Sequence, residues 1–153
     1  MSHRFVPIVV ALLSCTYGNA AQSQTDSATL QQIHAAAVAN VQRSDADRAR
    51  DAGRKPAAVL DFFGIAPGMS VLDMFSGGGY YTELLSYSVG EKGKVVAHTN
   101  SAYANFVAEE TANRYAAGRL SNVETLMAEN NELKLPDDTF DAVMMILAYH
   151  DIY

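Results

Sequence analysis

Apolar residues recur along this chain in two rhythms. Leu30, Ile33, Ala37 and Val41 stand three and four residues apart, with Gln31, Gln32, Asn40 and Gln42 between them. That spacing predicts an amphipathic helix from Ala28, preceded by a polar linker over Gln22–Ser27 with N-cap candidates in Thr25-Asp26-Ser27. Pro56 suits the first turn of a second helix, Val59, Leu60, Phe62 and Phe63 give it an apolar side, and Gly64 ends it. Met69–Met74 then reads as a strand, Tyr81–Val89 as a helix carrying Leu84, Leu85, Ser88 and Val89 on one face, and Lys94–Thr99 as a second strand. Ser101 is placed to cap a helix over Ala102–Ala117 with Tyr103, Phe106 and Val107 inward; Gly118 stops it. Asn122–Met127 is a weaker third strand. Phe140–Leu147 is an almost unbroken apolar run, the pattern of a strand covered on both faces.

Strands alternating with helices predict an α/β fold: a Rossmann-like, doubly wound, mostly parallel sheet with helices on both faces. The chain closes at Asp151-Ile152-Tyr153, just beyond the fourth strand, whereas such sheets normally continue. The expectation is an incomplete sheet whose last strand offers a hydrophobic edge.

The front of the chain has a different character. His3 and Arg4 make a short basic start, Phe5–Leu13 is apolar apart from Pro7, and Gly18, Asn19, Ala20 and Ala21 follow. Residues 1–21 therefore read as a signal peptide, too short in its apolar run to remain as a membrane span. Cleavage after Ala20 or Ala21 predicts an exported, periplasmic protein. The stretch Leu12-Leu13-Ser14-Cys15 also fits a lipoprotein signal, which would attach the chain to a membrane through Cys15 alone. Residues 22–44 then form a linker and N-terminal helix, and 45–153 the main domain.

At 153 residues, 49% hydrophobic and 18% charged, the chain has enough apolar material for one packed domain. Its formal net charge of −6, with no cluster of Lys and Arg, argues against nucleic acid as a partner. A single cysteine allows no internal disulfide, and His3, His34, His98 and His150 are too scattered for a zinc cluster, so no metal site is expected. The segment Arg43–Asp51 alternates in charge sign: either a solvated helical face with local ion pairs, or a lid folded over a ligand crevice.

The chemistry concentrates at Val71-Leu72-Asp73-Met74-Phe75-Ser76-Gly77-Gly78-Gly79-Tyr80. An apolar strand ends at an acid, breaks in three glycines and enters a helix. Sheets of this kind open their ligand crevice at such a turn. Glycine lets the backbone approach a ligand closely and accept positive φ, and the following helix start favours an anionic group. Asp73 is placed to accept hydrogen bonds from a ligand amine or from water. The plain alternative is a tight turn with a capping aspartate and no ligand. Tyr80 and Tyr81 are candidates to border the pocket; the plainer expectation puts one in the core and one at the surface.

Two segments carry a family resemblance. Arg54-Lys55-Pro56 through Gly64–Asp73 and on to Gly77-Gly78-Gly79-Tyr80-Tyr81-Thr82 resembles the class I S-adenosylmethionine-dependent methyltransferases, and is similar to exported bacterial members. Ala128–Val143 is similar to that family's segment around the third loop and fourth strand. The resemblance implies S-adenosylmethionine as cofactor, with Asp73, Gly77, Gly78 and Gly79 at its methionine end. Glu129, with Asn130 beside it, would lie near the adenine amino group. Where the family usually has an acid holding the ribose hydroxyls, this chain has His98, Thr99 or Asn100, of which Asn100 has the hydrogen-bonding groups for the task. Phe75 stands where many members have their first glycine. Tyr149-His150-Asp151 follows the fourth strand, where the family places substrate-facing residues, and His150 is the general-base candidate; a structural hydrogen bond is the alternative. The function implied is methyl transfer to a small-molecule or exported substrate. The alternatives are an exported Rossmann-like module that has lost its cofactor, and a nicotinamide-nucleotide enzyme, whose spaced G-x-G-x-x-G the contiguous triplet fits poorly. Oligomeric state is not readable.

Overall fold

The structure, a computed structural model, describes residues 18–152, with the side chains of 26–150. Residues 1–17, and with them Cys15 and most of the expected export segment, lie outside the described residues, as does Tyr153. The elements are α1 (Gly18–Val38), α2 (Asp45–Arg54), α3 (Pro56–Phe63), β1 (Ser70–Asp73), α4 (Tyr80–Val89), β2 (Lys94–Thr99), α5 (Ser101–Arg114), β3 (Val123–Met127) and β4 (Ala142–Met144). Short 3-10 turns follow at Ala116–Gly118 and Tyr149–Ile152.

The four strands form one sheet in the order β3-β2-β1-β4, every pair parallel. Leu72 lies opposite Val96 on one side and Val143 on the other. The order reverses between β2 and β4 around β1, so the switch point falls at the carboxyl end of β1.

Strand alternation gives each face its own core. Val71, Val95 and Met144 join Ala37, Leu60, Leu84, Leu85 and Val89 in a cluster under α1, α3 and α4. Leu72 and Val96 join Met74, Phe75 and Ala148 in a second cluster, closed by Leu133, Leu135 and Phe140 from the irregular segment before β4. Among the described residues, then, regular helices cover the first face, and a loop covers most of the second. Helices on both faces were expected; β4 shows the difference most clearly. It is three residues long, not the apolar run 140–147, and it is an edge strand with Val143 54% exposed. An unbroken apolar run signals apolar surroundings on both sides, but the described chain supplies them on one.

Other boundaries moved for identifiable reasons. α1 starts at Gly18, so the polar stretch Gln22–Ser27 is helical and not a linker. No proline or glycine interrupts the chain between Asn19 and Val38, and its Ala and Gln residues are good helix formers. The same helix stops at Val38, which leaves Val41 in a turn and 83% exposed. The cap of α5 is Asn100, not Ser101: the Asn100 side chain accepts a hydrogen bond from the Tyr103 N–H at 3.1 Å. α5 ends at Arg114, three residues short of the expectation, and Phe106, expected inward, is 90% exposed.

The first half of the chain is joined by buried polar contacts. His34, fully buried, donates from Nε2 to the Ile65 carbonyl at 2.8 Å and meets the Asp61 carboxylate through Nδ1, tying α1 to α3. Arg43 donates to the Val38 carbonyl at the end of α1 and to both carboxylate oxygens of Asp51 in α2, at 2.6, 2.8 and 2.7 Å.

Candidate functional site

At the switch point the chain leaves β1 under close backbone control. The Met74 N–H donates to the Met144 carbonyl at 2.8 Å and the Ser76 N–H to the His98 carbonyl at 2.9 Å, so both neighbouring strands hold the turn. His98 is fully buried. Its Nδ1 accepts from the Phe75 N–H and its Nε2 donates to the Ala128 carbonyl at 3.0 Å, which defines a neutral tautomer with a structural task. Phe75 takes a positive φ of 55° and turns its ring edge-on to His98, with centroids 5.4 Å apart.

A crevice of about 160 Å³ opens above this turn. Asp73, Ser76, Gly77 and Gly78 form its floor, Ile146, Leu147 and Ala148 its β4 side, and Phe75 with Tyr103 another wall. Arg50 and Arg54 of α2 close over it, together with Tyr80, Tyr81 and Glu110. Of the charged segment Arg43–Asp51, Arg50 reaches the crevice, while Asp45 and Arg48 form an exposed local ion pair.

Asp73 is 3% exposed and accepts a hydrogen bond from the Thr82 hydroxyl at 2.6 Å. Burial pushes its carboxyl up to about 7, against the lowering effect of the Thr82 hydrogen bonds. The three glycines do different work. Gly77 has φ of 56° and open space where a Cβ would point, so bare main chain faces the crevice. A Cβ at Gly78 would run into the Glu110 carboxylate. Gly79, at φ 83°, caps α4, and its Cβ would stand 2.6 Å from the Tyr115 hydroxyl and 2.8 Å from Arg114 Cδ. Gly78 and Gly79 serve the seating of α5 against the turn, whereas at Gly77 nothing stands within 4 Å of where a Cβ would point.

That seating is electrostatic. Arg114, 7% exposed, donates to the Gly78 carbonyl through Nε at 2.6 Å, to Asp47 at 2.7 Å, and to Glu83 and Glu110. Asp47 also pairs with Arg50, and Glu83 with Arg119 at 2.6 Å. The Asp47 carboxyl falls to about 2 because the arginine contacts outweigh its desolvation; Glu83 is lowered in the same way by Arg119, Tyr87 and Arg114. Tyr80 is a second fastening. Its hydroxyl donates to Asp51 at 2.5 Å, and the guanidinium carbons of Arg43, Arg50 and Arg54 lie 5.4, 5.0 and 4.7 Å from its ring centre. Tyr80 and Tyr81 are both buried, at 4% and 6%, so neither is the surface residue expected.

The remaining candidate residues gather elsewhere. Asn100 and Glu129 meet at the start of α5, where the Glu129 carboxylate accepts from the Ser101 N–H at 3.2 Å and is lowered by that contact. The neighbouring Asn130 has a buried Oδ1 without a hydrogen-bond partner. None of the three lines the crevice, and Thr99 lines a second cavity, of about 570 Å³, between α5 and the β2–β3 edge. His150 is exposed on the turn after β4, two residues past the crevice-lining Ala148. The sequence reading reaches Arg50 through the charged segment but neither Arg54 nor Glu110. The signal for Arg54 is the helical spacing of Asp47, Arg50, Asp51 and Arg54, which puts them along one side of α2; Glu110, on α5, has none.

A parallel 3-2-1-4 sheet with an acid and bare glycine at its switch point is the frame of the class I S-adenosylmethionine-dependent methyltransferases. Residues 52–149 match the model of the ubiE/COQ5 methyltransferase family, and the chain belongs to that family. It is 34% identical over 94 residues to a ubiquinone/menaquinone biosynthesis C-methyltransferase UbiE of Escherichia fergusonii, a match covering 61% of this chain and 36% of that protein. The corresponding protein of Salmonella arizonae is 33% identical over the same length. A crystal structure of an S-adenosylmethionine-dependent methyltransferase from Aquifex aeolicus superposes with a TM-score of 0.52 at 41% identity, covering 61% of this chain and 48% of that one. The chain spans about a third of the length of the curated relatives it matches. S-adenosylmethionine is the cofactor that this family implies.

Proposed function

We propose that this chain carries the cofactor-binding part of an S-adenosylmethionine-dependent methyltransferase that acts on a small molecule. The observation behind the reading is the switch-point crevice, where the Asp73 carboxylate lies beside main chain at Gly77 that no side chain shields. The residues fit the methionine end of the cofactor. Asp73 accepts from a cationic amine, Gly77 permits contact with the backbone, and the lid helix excludes water. The bound group supplies an already activated methyl, so the chain's own task is alignment. His150 is the proposed base for acceptors that must lose a proton; its exposed position calls for an acceptor that reaches outward from the crevice. The apolar run after Arg4 and the small residues after it support export, with lipidation at Cys15 as the second processing route.

Calorimetry of the full chain with S-adenosylmethionine tests the reading. Saturable heat with a matching thermal shift is expected. Absence of both signals at millimolar ligand would refute it.

A further inference from the structure

We propose that His34 and Asp61 form a proton-held latch for α1: the helix is docked while the pair keeps a proton between its facing atoms, and it comes free as that proton is lost toward alkaline pH. The helix has little else to hold it. Among its described residues, His34 is the largest fully buried side chain, and Ala37 is the one apolar side chain buried with it. Leu30, Ile33 and Val38 are only partly covered. The seat of α1 on α3 and α4 therefore turns on a polar ring.

Counting protons shows what that ring requires. The Ile65 carbonyl only accepts, so Nε2, 2.8 Å away, carries a proton. The Asp61 carboxylate meets Nδ1 directly, and that contact needs a second proton, on the nitrogen or on the oxygen. It belongs to the pair and not to either residue. Once it is gone, the Nδ1 lone pair faces a carboxylate oxygen, and two acceptors in contact repel. Asp61, 31% exposed, can turn toward water, but that leaves Nδ1 buried and unpaired. His34 reaches water only if α1 leaves its seat.

The other ionisable groups of the packed helices are engaged elsewhere. α3 has Asp61 alone, and the second acid of α1, Asp26, is exposed. On α4, Glu83 and Tyr87 are bound to Arg119, Tyr80 to Asp51, and Tyr81 to the Arg54 carbonyl. Arg43, just after α1, is taken up by the Val38 carbonyl and by Asp51 of α2. Release of α1 would thus remove one of the two groups that position Arg43 under the helix roofing the crevice.

Hydrogen exchange of the α1 amides over residues 31–38 in the full chain, compared with D61N at the same pH, tests the latch. In D61N the side-chain amide donates to Nδ1 while Nε2 still donates to Ile65, so no proton is there to lose. The substitution lies outside α1 and leaves Asp73 in place, so the ratio of the two rates cancels both intrinsic exchange and the titration of Asp73. That ratio is expected to rise at least tenfold between about pH 6 and about pH 9, the span in which a histidine gives up its charge. A flat or falling ratio overturns the proposal. Should D61N fail to fold, NMR of the unmodified chain decides. A His34 ring signal and α1 amide signals that shift together over that span support the latch. A ring that does not titrate, or one that titrates while the α1 amides stay unmoved, overturns it.

Discussion

Asp73→Asn isolates the conflict between folding and ligand binding at the floor of the crevice. The Asp73 carboxyl shifts from 3.8 to about 7 in the folded protein, chiefly through burial. An acid whose folded value is raised holds its proton in the native state after the unfolded chain has lost it. Its effect on stability is therefore absent below about pH 4, grows as pH rises, and is complete above about pH 7. A shift of about three units at about 1.4 kcal/mol each makes ionised Asp73 destabilising by roughly 4 kcal/mol at pH 8. Asparagine keeps an oxygen for the Thr82 hydroxyl, now 2.6 Å from Asp73, and carries no charge to desolvate. D73N is expected to be the more stable protein at pH 8, with a urea midpoint higher by on the order of 2 M for an ordinary denaturant slope. The advantage should shrink toward zero near pH 4. The same substitution should weaken S-adenosylmethionine binding at least tenfold, and the unmodified chain should lose affinity as pH falls through 7. Urea unfolding at several pH values, paired with calorimetry, reads both effects. A D73N advantage independent of pH, or a loss of stability at pH 8, would refute the argument.

R114M removes the cation shared by Asp47, Glu83 and Glu110 and leaves two buried carboxylates with one partner each; about 3–5 kcal/mol of stability should be lost in urea unfolding, with cofactor affinity falling because the lid loses its hold. The glycines should separate in thermal melts and calorimetry. G79A, strained at φ 83° and clashing with Tyr115 and Arg114, should lower stability by about 2 kcal/mol or more, whereas G77A, strained by φ alone, should lose about 1 kcal/mol and most of its cofactor binding.

Much of the architecture was legible because local signals agreed with tertiary ones. The strand at 94–99 and the helix from Pro56 to Gly64 carry their own start and stop residues, and both appear where expected. The turn at 73–79 was legible as a site for the same reason. Errors arose where local pattern and surroundings diverge. The run 140–147 reads as a strand covered on both faces because apolar residues do not record how many faces are covered, and the described chain covers one. Phe106 falls on a plausible inward spacing, yet Ala104, Val107, Ala108 and Thr111 are the residues of α5 that border the cavity beside the sheet, and the phenylalanine is exposed. The lid was half legible: alternating charges signalled ion pairs, but not that two of the partners would be Glu110 and Arg114, 60 and 67 residues further on.

The bond between Asp47 and Arg114 spans 67 positions of the chain. It makes the roof of the crevice depend on a helix synthesised long after it. Until α5 has docked, the inward carboxylate of α2 has only Arg50 of its own helix as a counterweight. Capture of a nucleoside by this protein therefore reports on the maturation of everything from α2 to α5 at once, and a ligand added early in refolding should find nothing to close around it.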